Sequence, residues 1–396
     1  MDKESKEKKV SLGGAIIIGA VLAVLGGIIG ANFNKMFSGF APYLGLSSNY
    51  DSGVDWSELN EVYNKLNTSY NGEISVEDAI EGAKKGLTES LGDIYTVYMD
   101  AKETEEFYDD LHGNVGSGIG VEMGLRDGYV RVLRTLPDNP ARKAGILAGD
   151  ILYKVNDENV YSLSTDEVSK RVRGESGTEV KVTVIRNGKE LDFTMKRETI
   201  NNVSAYVEYD GKTAIITVTR FDDNTGKMVQ DFAKDFKDKG ISKVILDLRG
   251  NGGGYVSAAQ DLLSLWLDGE KVLIQKSKHF GDSASTSSTG KALLKDMKTI
   301  VLVNGSSASA SEIVAGALQD YKKATVVGEK TYGKGVVQTL SNLSGETVLK
   351  VTTAEWYTPL ERSINGTGIE PDIEVKRSYE DINAMRDPQL DKAKEL

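Results

Sequence analysis

No cysteine occurs among the 396 residues. That excludes thiolate nucleophiles, thiolate metal sites, disulfides and a lipid anchor on cysteine, and an oxidising compartment would do such a chain no harm. Histidine is nearly absent as well, with only His112 and His279. A zinc site built on two or three histidines would have to recruit both, and they share no helical spacing. Histidine is also the commonest base of hydrolytic sites, so hydrolytic chemistry here must use one of these two or another residue type. A basic surplus is missing too. With a net charge of −11, the chain lacks the positive face that general binding to a nucleic-acid backbone requires.

The length suffices for two or three domains, each with its own core. Residues 1–9 carry Lys3, Lys6, Lys8 and Lys9, and no further charge appears before Lys35. The apolar run 12–31 is long enough to span a bilayer as a helix. Its end, GIIGANFN, lacks a small-x-small cleavage site. Residues 1–34 therefore read as a cytoplasmic tail and an uncleaved transmembrane anchor in the cell membrane, with the rest of the chain on the extracytoplasmic side. Residues 35–112 read as a linker and an amphipathic helical arm, chemically bland and suited to packing or to a homodimer.

Residues 113–197 change character. A glycine loop, GSGIGVEM (116–123), enters a strand, and Asn187-Gly188 joins two later strands as a hairpin turn. Such a loop can offer backbone N–H groups to a carboxylate while the strand pairs with an extended peptide. An ordinary small β-domain whose glycines only serve turns fits the same spacing. Residues 198–377 alternate strands and helices, which predicts an α/β core with a mixed sheet and a β-rich end. Within them the polar run 279–290 reads as a mobile loop. Residues 378–396 read as a charged, exposed tail.

Two loops of the last region carry candidate chemistry. SSASASE offers Ser306, Ser307, Ser309 and Ser311 between a β-branched run and an alanine-rich helix. Ser309-x-x-Glu312 fits a helix capping box; it also fits a nucleophilic hydroxyl at a helix N-terminus, where free N–H groups favour an oxyanion. A serine needs a base. No histidine lies near this loop, and His279 borders the polar run, whereas a buried lysine can serve when desolvation keeps it neutral. Lys334, between Gly333 and Gly335, is the best-placed lysine, although a solvated loop lysine is the usual case. Gly328 to Lys334 also fits G-x-x-x-x-G-K, but Gly335 stands where a P-loop needs Ser or Thr, and a strand-like run follows where it needs a helix. A second glycine loop, 250–254, follows a buried strand and could aim an N–H at an oxyanion.

The run GILAGDILYKVN with its preceding glycine loop and following helix resembles a PDZ domain. That resemblance implies capture of a partner's C-terminus, with Gly118, Ile119 and Gly120 as the carboxylate-binding loop. Arg173, at the end of the groove helix, is a candidate for coupling peptide binding to catalysis, and an exposed solubilising arginine fits that position as well. LDLRGNGGG, SSASASEIVAGALQD, VVGEKTYGKGVVQ and GTGIEPD together resemble the carboxy-terminal processing (tail-specific) serine protease family over residues 80–377. The family resemblance implies Ser309 as nucleophile, Lys334 as general base, and Gln338 orienting the lysine amine. It further implies an oxyanion hole from Ala310 and the Gly252-Gly253 turn, no metal or cofactor, and protein or peptide substrates with accessible C-termini. Fully extended, Lys334 and Gln338 would have Cα atoms about 13 Å apart, so a bend or a long reach is expected between them. One departure is Ile94 in LGDIYTVYM, where the family commonly has proline.

Overall fold

A computed structural model describes residues 56–396 apart from Asp127, 279–280, 287–291 and Met385. The expected anchor and His279 lie outside the described residues. Among those described, no helix is long and apolar enough to cross a membrane. The chain divides between Ile80 and Glu81 into two units. The first holds α1 (Ser57–Ser69), which buries none of its residues; α2 (Val76–Glu89) carries the boundary.

From Glu81 onward the arm continues as β1 (Val97–Met99) and α3 (Ala101–His112). Asp100 caps α3 in a full capping box with Glu103, and Lys85 bridges both carboxylates at 3.1 and 2.8 Å. The next region builds a sheet from β3 (Val121–Arg126), β4 (Tyr129–Thr135), β5 (Ile151–Val155), β7 (Glu179–Arg186) and β8 (Lys189–Lys196). β2 (Ser117–Gly118) pairs with β9 (Glu198–Thr199), and β6 (Glu158–Asn159) pairs with β5. Helices α4 (Pro140–Ala144) and α5 (Thr165–Val172) complete it. Its core joins Ile119, Val132, Leu152, Val168 and Val182. The Asn187-Gly188 hairpin forms as expected, with φ of 51° and 73°, the conformation a two-residue turn needs.

The core sheet has the order β10-β11-β12-β15-β16-β19. Its strands are β10 (Ala205–Asp210), β11 (Thr213–Val218), β12 (Lys243–Asp247), β15 (Lys298–Val303), β16 (Thr325–Gly328) and β19 (Ile373–Glu374). Only the β10–β11 pair is antiparallel, so the sheet is mixed as expected. VIL (244–246), IVLV (300–303) and VV (326–327) are continuous apolar runs because these strands are covered on both faces. On one face lie α6 (Thr225–Lys234), α7 (Val256–Leu263) and α8 (Ala310–Asp320), packed with Phe221, Phe236 and Trp266.

The other face corrects an expectation. Residues 378–396 form α9 (Tyr379–Asn383) and α10 (Pro388–Glu395) rather than an exposed tail. Leu390 and Ala393, three positions apart on α10, pack on Ile245, Ile300, Leu302 and Val327. Arg249 fastens the helix start through Asp387 at 2.8 Å and Gln389 at 3.0 Å. The charges of the segment lie around that apolar stripe.

A second sheet carries β18 (Val348–Tyr357) at its centre, paired with β1, β13 (Lys271–Ser277) and β17 (Val336–Asn342). Part of the run expected as a mobile loop is strand: β14 (Gly281–Thr286) pairs antiparallel with β13. A strand, not a helix, follows Lys334, which agrees with the rejection of a P-loop.

The topology explains why distant loops meet. β12, β15 and β16 are neighbours and parallel, with Asp247 opposite Leu302 and Val303 opposite Gly328. Their carboxyl ends therefore release the glycine loop, the serine turn and the lysine loop at one edge of the sheet, where open α/β sheets bind ligands.

Candidate active site

Of the four serines in the turn, two are used to build it. Ser307 and Ser311 are fully buried; their hydroxyls donate to the carbonyls of Leu248 (2.8 Å) and Asn251 (2.9 Å), locking the turn onto the glycine loop. Ser306 is exposed. Ser309 alone of the four lines a cavity of about 420 Å³, which Lys334, Gln338, Gly252 and Gly253 also line. Its backbone sits at φ 55°, ψ −115°, a conformation that L-residues rarely adopt and that commonly marks functional sites. The Glu312 half of the expected capping box is made, its carboxylate accepting the Ser309 N–H, while the Ser309 hydroxyl makes no cap hydrogen bond. The Glu312 N–H bonds the Ser309 carbonyl at 2.8 Å, so the turn does not rest on the hydroxyl. Gly253 (φ 106°) packs beneath it; a Cβ there would come within 2.8 Å of Ser309 Cβ and 3.0 Å of the Ala310 nitrogen.

Glu312, expected as a capping residue, has a larger role. Its carboxylate is fully buried. Oε2 accepts the backbone N–H of Ser309 at 2.8 Å and of Lys334 at 2.9 Å. Oε1 accepts the Thr331 hydroxyl and the Gly333 N–H, both at 2.6 Å. One carboxylate thus fixes the serine turn against the lysine loop. Trp356 Nε1 holds the loop from the other side through the Lys334 carbonyl at 2.9 Å. Gly335 is needed for close approach, since a Cβ would lie 2.5 Å from the Asn365 nitrogen.

Lys334 is half-buried, and its Nζ lies 5.2 Å from the centre of the Tyr95 ring. Burial lowers its pKa and the nearby Lys350 lowers it further, while Glu312 and Asp93 oppose both. Both effects disfavour the ammonium form. Among the described residues no ion pair engages this amine.

Gln338 shares the cavity, but no hydrogen bond joins it to Lys334, and its buried Nε2 has no partner among the described residues. The expected orienting bond is not made, because the Lys334 amine lies over Tyr95 instead. The expected bend is there, as a register shift between Val337 and Gln338.

The family resemblance implies Ala310 and one N–H of the Gly252-Gly253 turn as oxyanion donors. The N–H groups of Ala310 and Gly252 have no hydrogen-bond acceptor among the described residues. That of Gly253 is taken by Asn251 Oδ1 at 2.8 Å, so Gly253 supplies room rather than a donor.

A second cavity, about 580 Å³, is lined by Gly118, Ile119, Gly120 and Arg173, and also by Gly250 and Gly252. The four expected peptide-binding residues are therefore together. The N–H groups of Ile119 and Gly120 are without acceptors among the described residues, while their carbonyls bond Ala141 and Leu136. Asp110, Thr219, Arg220 and Gly252 line both cavities, which makes the groove continuous with the serine turn.

The arm expected to be bland contributes Tyr95 over the lysine, and Phe107, Asp110 and Leu111 to the cavity. The LGDIYTVYM motif was the available signal. Its Thr96 hydroxyl accepts the Thr352 N–H at 3.0 Å, which helps seat the arm on β18. Ile94 itself is 78% exposed.

Residues 212–375 match the family profile of peptidase family S41, 117–196 that of a PDZ domain, and 45–104 that of the activating protease CtpB N-terminal domain. A probable CtpA-like serine protease of Staphylococcus epidermidis is 36% identical over 342 residues, covering 86% of this chain and 69% of that one. Its Staphylococcus aureus counterpart is 34% identical over 374 residues, covering 94% and 73%. The solved photosystem II D1 C-terminal processing protease is 26% identical, with a TM-score of 0.52 over 82% of this chain and 87% of that one. A putative S41 protease of Bacteroides fragilis shares the fold at 17% identity and a TM-score of 0.55, covering 78% and 88%.

Proposed function

Because the chain belongs to peptidase family S41, as a serine protease of the carboxy-terminal processing kind with a PDZ domain, we propose that Ser309 is its nucleophile and Lys334 its general base. The substrate's free C-terminus pairs with the strand beside Gly118, Ile119 and Gly120, its carboxylate facing the N–H groups of Ile119 and Gly120. The extended chain then follows the groove past Gly252 to the serine turn. Neutral Lys334 takes the Ser309 proton, and Ser309 Oγ attacks a peptide carbonyl. The N–H groups of Ala310 and Gly252 receive the oxyanion. Collapse transfers the proton to the leaving amine, and water, deprotonated in turn by Lys334, releases the acyl-enzyme. Gln338 orients the amine once substrate displaces it from Tyr95.

The observation that carries this reading is the Glu312 carboxylate, which binds the backbone of both Ser309 and Lys334 beside one cavity. Incubation with an unstructured protein ending in apolar residues tests it. Wild type cleaves; Ser309→Ala and Lys334→Ala bind the tail without cleaving; His279→Ala cleaves normally. Cleavage by Lys334→Ala would remove the dyad, and tail binding without cleavage by wild type would make the chain an adaptor.

The run 12–31 supports a single-pass anchor in the cell membrane, with the PDZ and protease regions on the extracytoplasmic side. Resistance to alkaline extraction and accessibility to added protease in intact cells check that. A homodimer is supported by α1, which buries none of its own residues, and sedimentation of the chain with and without residues 57–69 checks it.

A further inference from the structure

Lys350 sits where the reaction scheme gives it no task. It lies on β18 opposite Leu340 of β17 and Val97 of β1. Gln338 pairs with Thr352 two positions along, so Gln338, Leu340 and Lys350 share one face of the sheet. All three line the cavity that holds Ser309 and Lys334. A lysine placed among Phe107, Leu111, Val336 and Trp356 would ordinarily recruit a carboxylate. Among the described residues no carboxylate is within ion-pair distance of Lys350, and its Nζ lies 5.5 Å from the centre of the Phe107 ring. Two amines without carboxylate partners thus share one partly desolvated cavity.

We propose that Lys350 is a positioning residue for the Lys334 base: its ammonium group disfavours a second positive charge in the cavity and so keeps Lys334 neutral. This rests on the reading of Lys334 as general base. Two amines in one cavity titrate as a pair, like two carboxylates sharing a site with the signs reversed. The first proton resides on Lys350, over the Phe107 face, and the second is resisted. The groups that oppose this are Glu312 and Asp93, whose carboxylates favour a charged Lys334. Glu312 is already committed to Ser309, Thr331, Gly333 and Lys334 backbone or hydroxyl donors, and Asp93 accepts from Tyr95 and Thr96. Tyr95 covers the Lys334 amine with its ring. Asp110, Arg220 and Tyr255 also line the cavity. Lys350 is itself pushed down by burial alone, and its repulsion adds to burial in lowering the pKa of Lys334.

The test is the pH profile of kcat/KM for the full chain, with Lys334→Ala, Lys350→Met and Lys350→Arg beside wild type. Lys350→Met keeps the stem and removes the charge. Its acid limb is expected to move up by about one pH unit, a tenfold loss on that limb with recovery at high pH. Lys350→Arg is expected to keep the wild-type limb. A Lys350→Met limb that stays in place, or a loss equal at every pH, overturns the proposal while an inactive Lys334→Ala leaves the base assignment standing. An active Lys334→Ala removes the base assignment itself. Should Lys350→Met fold poorly, an NMR titration of the Lys334 ε-methylene in Ser309→Ala and in Ser309→Ala/Lys350→Gln reads the same shift without turnover. An unchanged midpoint there overturns the proposal.

Discussion

Oε2 of Glu312 accepts the backbone N–H of Lys334 at 2.9 Å while it accepts that of Ser309 at 2.8 Å. A single oxygen therefore sets the distance between the Ser309 turn and the Lys334 loop. Glu312→Gln should separate these roles. An amide has one acceptor oxygen, so either the Ser309 and Lys334 donors or the Thr331 and Gly333 donors would meet an NH2 group. Each charged hydrogen bond lost costs about 1.5–3 kcal/mol. The expected result is a folded but destabilised enzyme in denaturant titration, with kcat reduced more than tenfold and KM changed less. Wild-type kcat would show that the register of the two loops is held elsewhere.

The glycine loop gives a paired prediction. Gly253→Ala places a Cβ within 2.8 Å of Ser309 Cβ and 2.9 Å of the Ala308 carbonyl, at a residue with φ of 106°. Gly252→Ala meets no atom within 4 Å and keeps its N–H. Gly253→Ala should lose cleavage by a hundredfold or more. Gly252→Ala should stay within a few-fold of wild type and melt normally. Equal losses would mean that the loop acts through overall flexibility rather than close packing.

What the sequence showed of this site, and what it hid, divides along physical lines. The serine turn, the lysine loop and the glycine loop each have a local signature, because special backbone geometry demands special residues nearby. The mixed sheet followed from the alternation of strands and helices over residues 198–377. Glu312 was hidden because a glutamate three positions after a serine is a common cap, and its other donors lie on a loop after the next strand. Tyr95 and Phe107 were hidden because an amphipathic arm does not indicate which surface it will cover. α10 was hidden because its stripe consists of Leu390 and Ala393 among charges, too narrow to outweigh the composition of the segment. Which glycine of the 252–253 turn keeps a free N–H was hidden because loop sequence does not reveal that Asn251 occupies that of Gly253.

The docked C-terminal helix has a pH signature. Asp387 is pushed up by burial, but the Arg249 guanidinium outweighs this and holds its carboxyl below the usual range. A depressed carboxyl pKa stabilises the fold above the unfolded-state pKa, and that stabilisation is lost as pH falls through the folded value. Asp387→Asn should therefore lower unfolding free energy by about 1.5–3 kcal/mol at neutral pH. The gap to wild type should close in strongly acidic buffer, below about pH 4. A gap independent of pH would assign the effect to packing of α10 instead. Because Arg249 adjoins Gly250, the same variant should also lower kcat.

Lys334 carries the opposite sign. Its folded pKa is lowered, by burial first and then by Lys350, so the native state binds its proton less readily than the unfolded chain does. The group costs stability in full below its folded pKa, and the cost fades as pH rises toward the ordinary lysine value. Lys334→Met, which fills similar volume without a charge, should thus raise the melting temperature at neutral pH while abolishing cleavage. The gain should shrink in alkaline buffer, where wild-type Lys334 is neutral in both states. A destabilised Lys334→Met at neutral pH would mean that the Tyr95 ring and the Glu312 and Asp93 carboxylates hold the charged amine favourably, and such an amine could not act as a base without first losing that support.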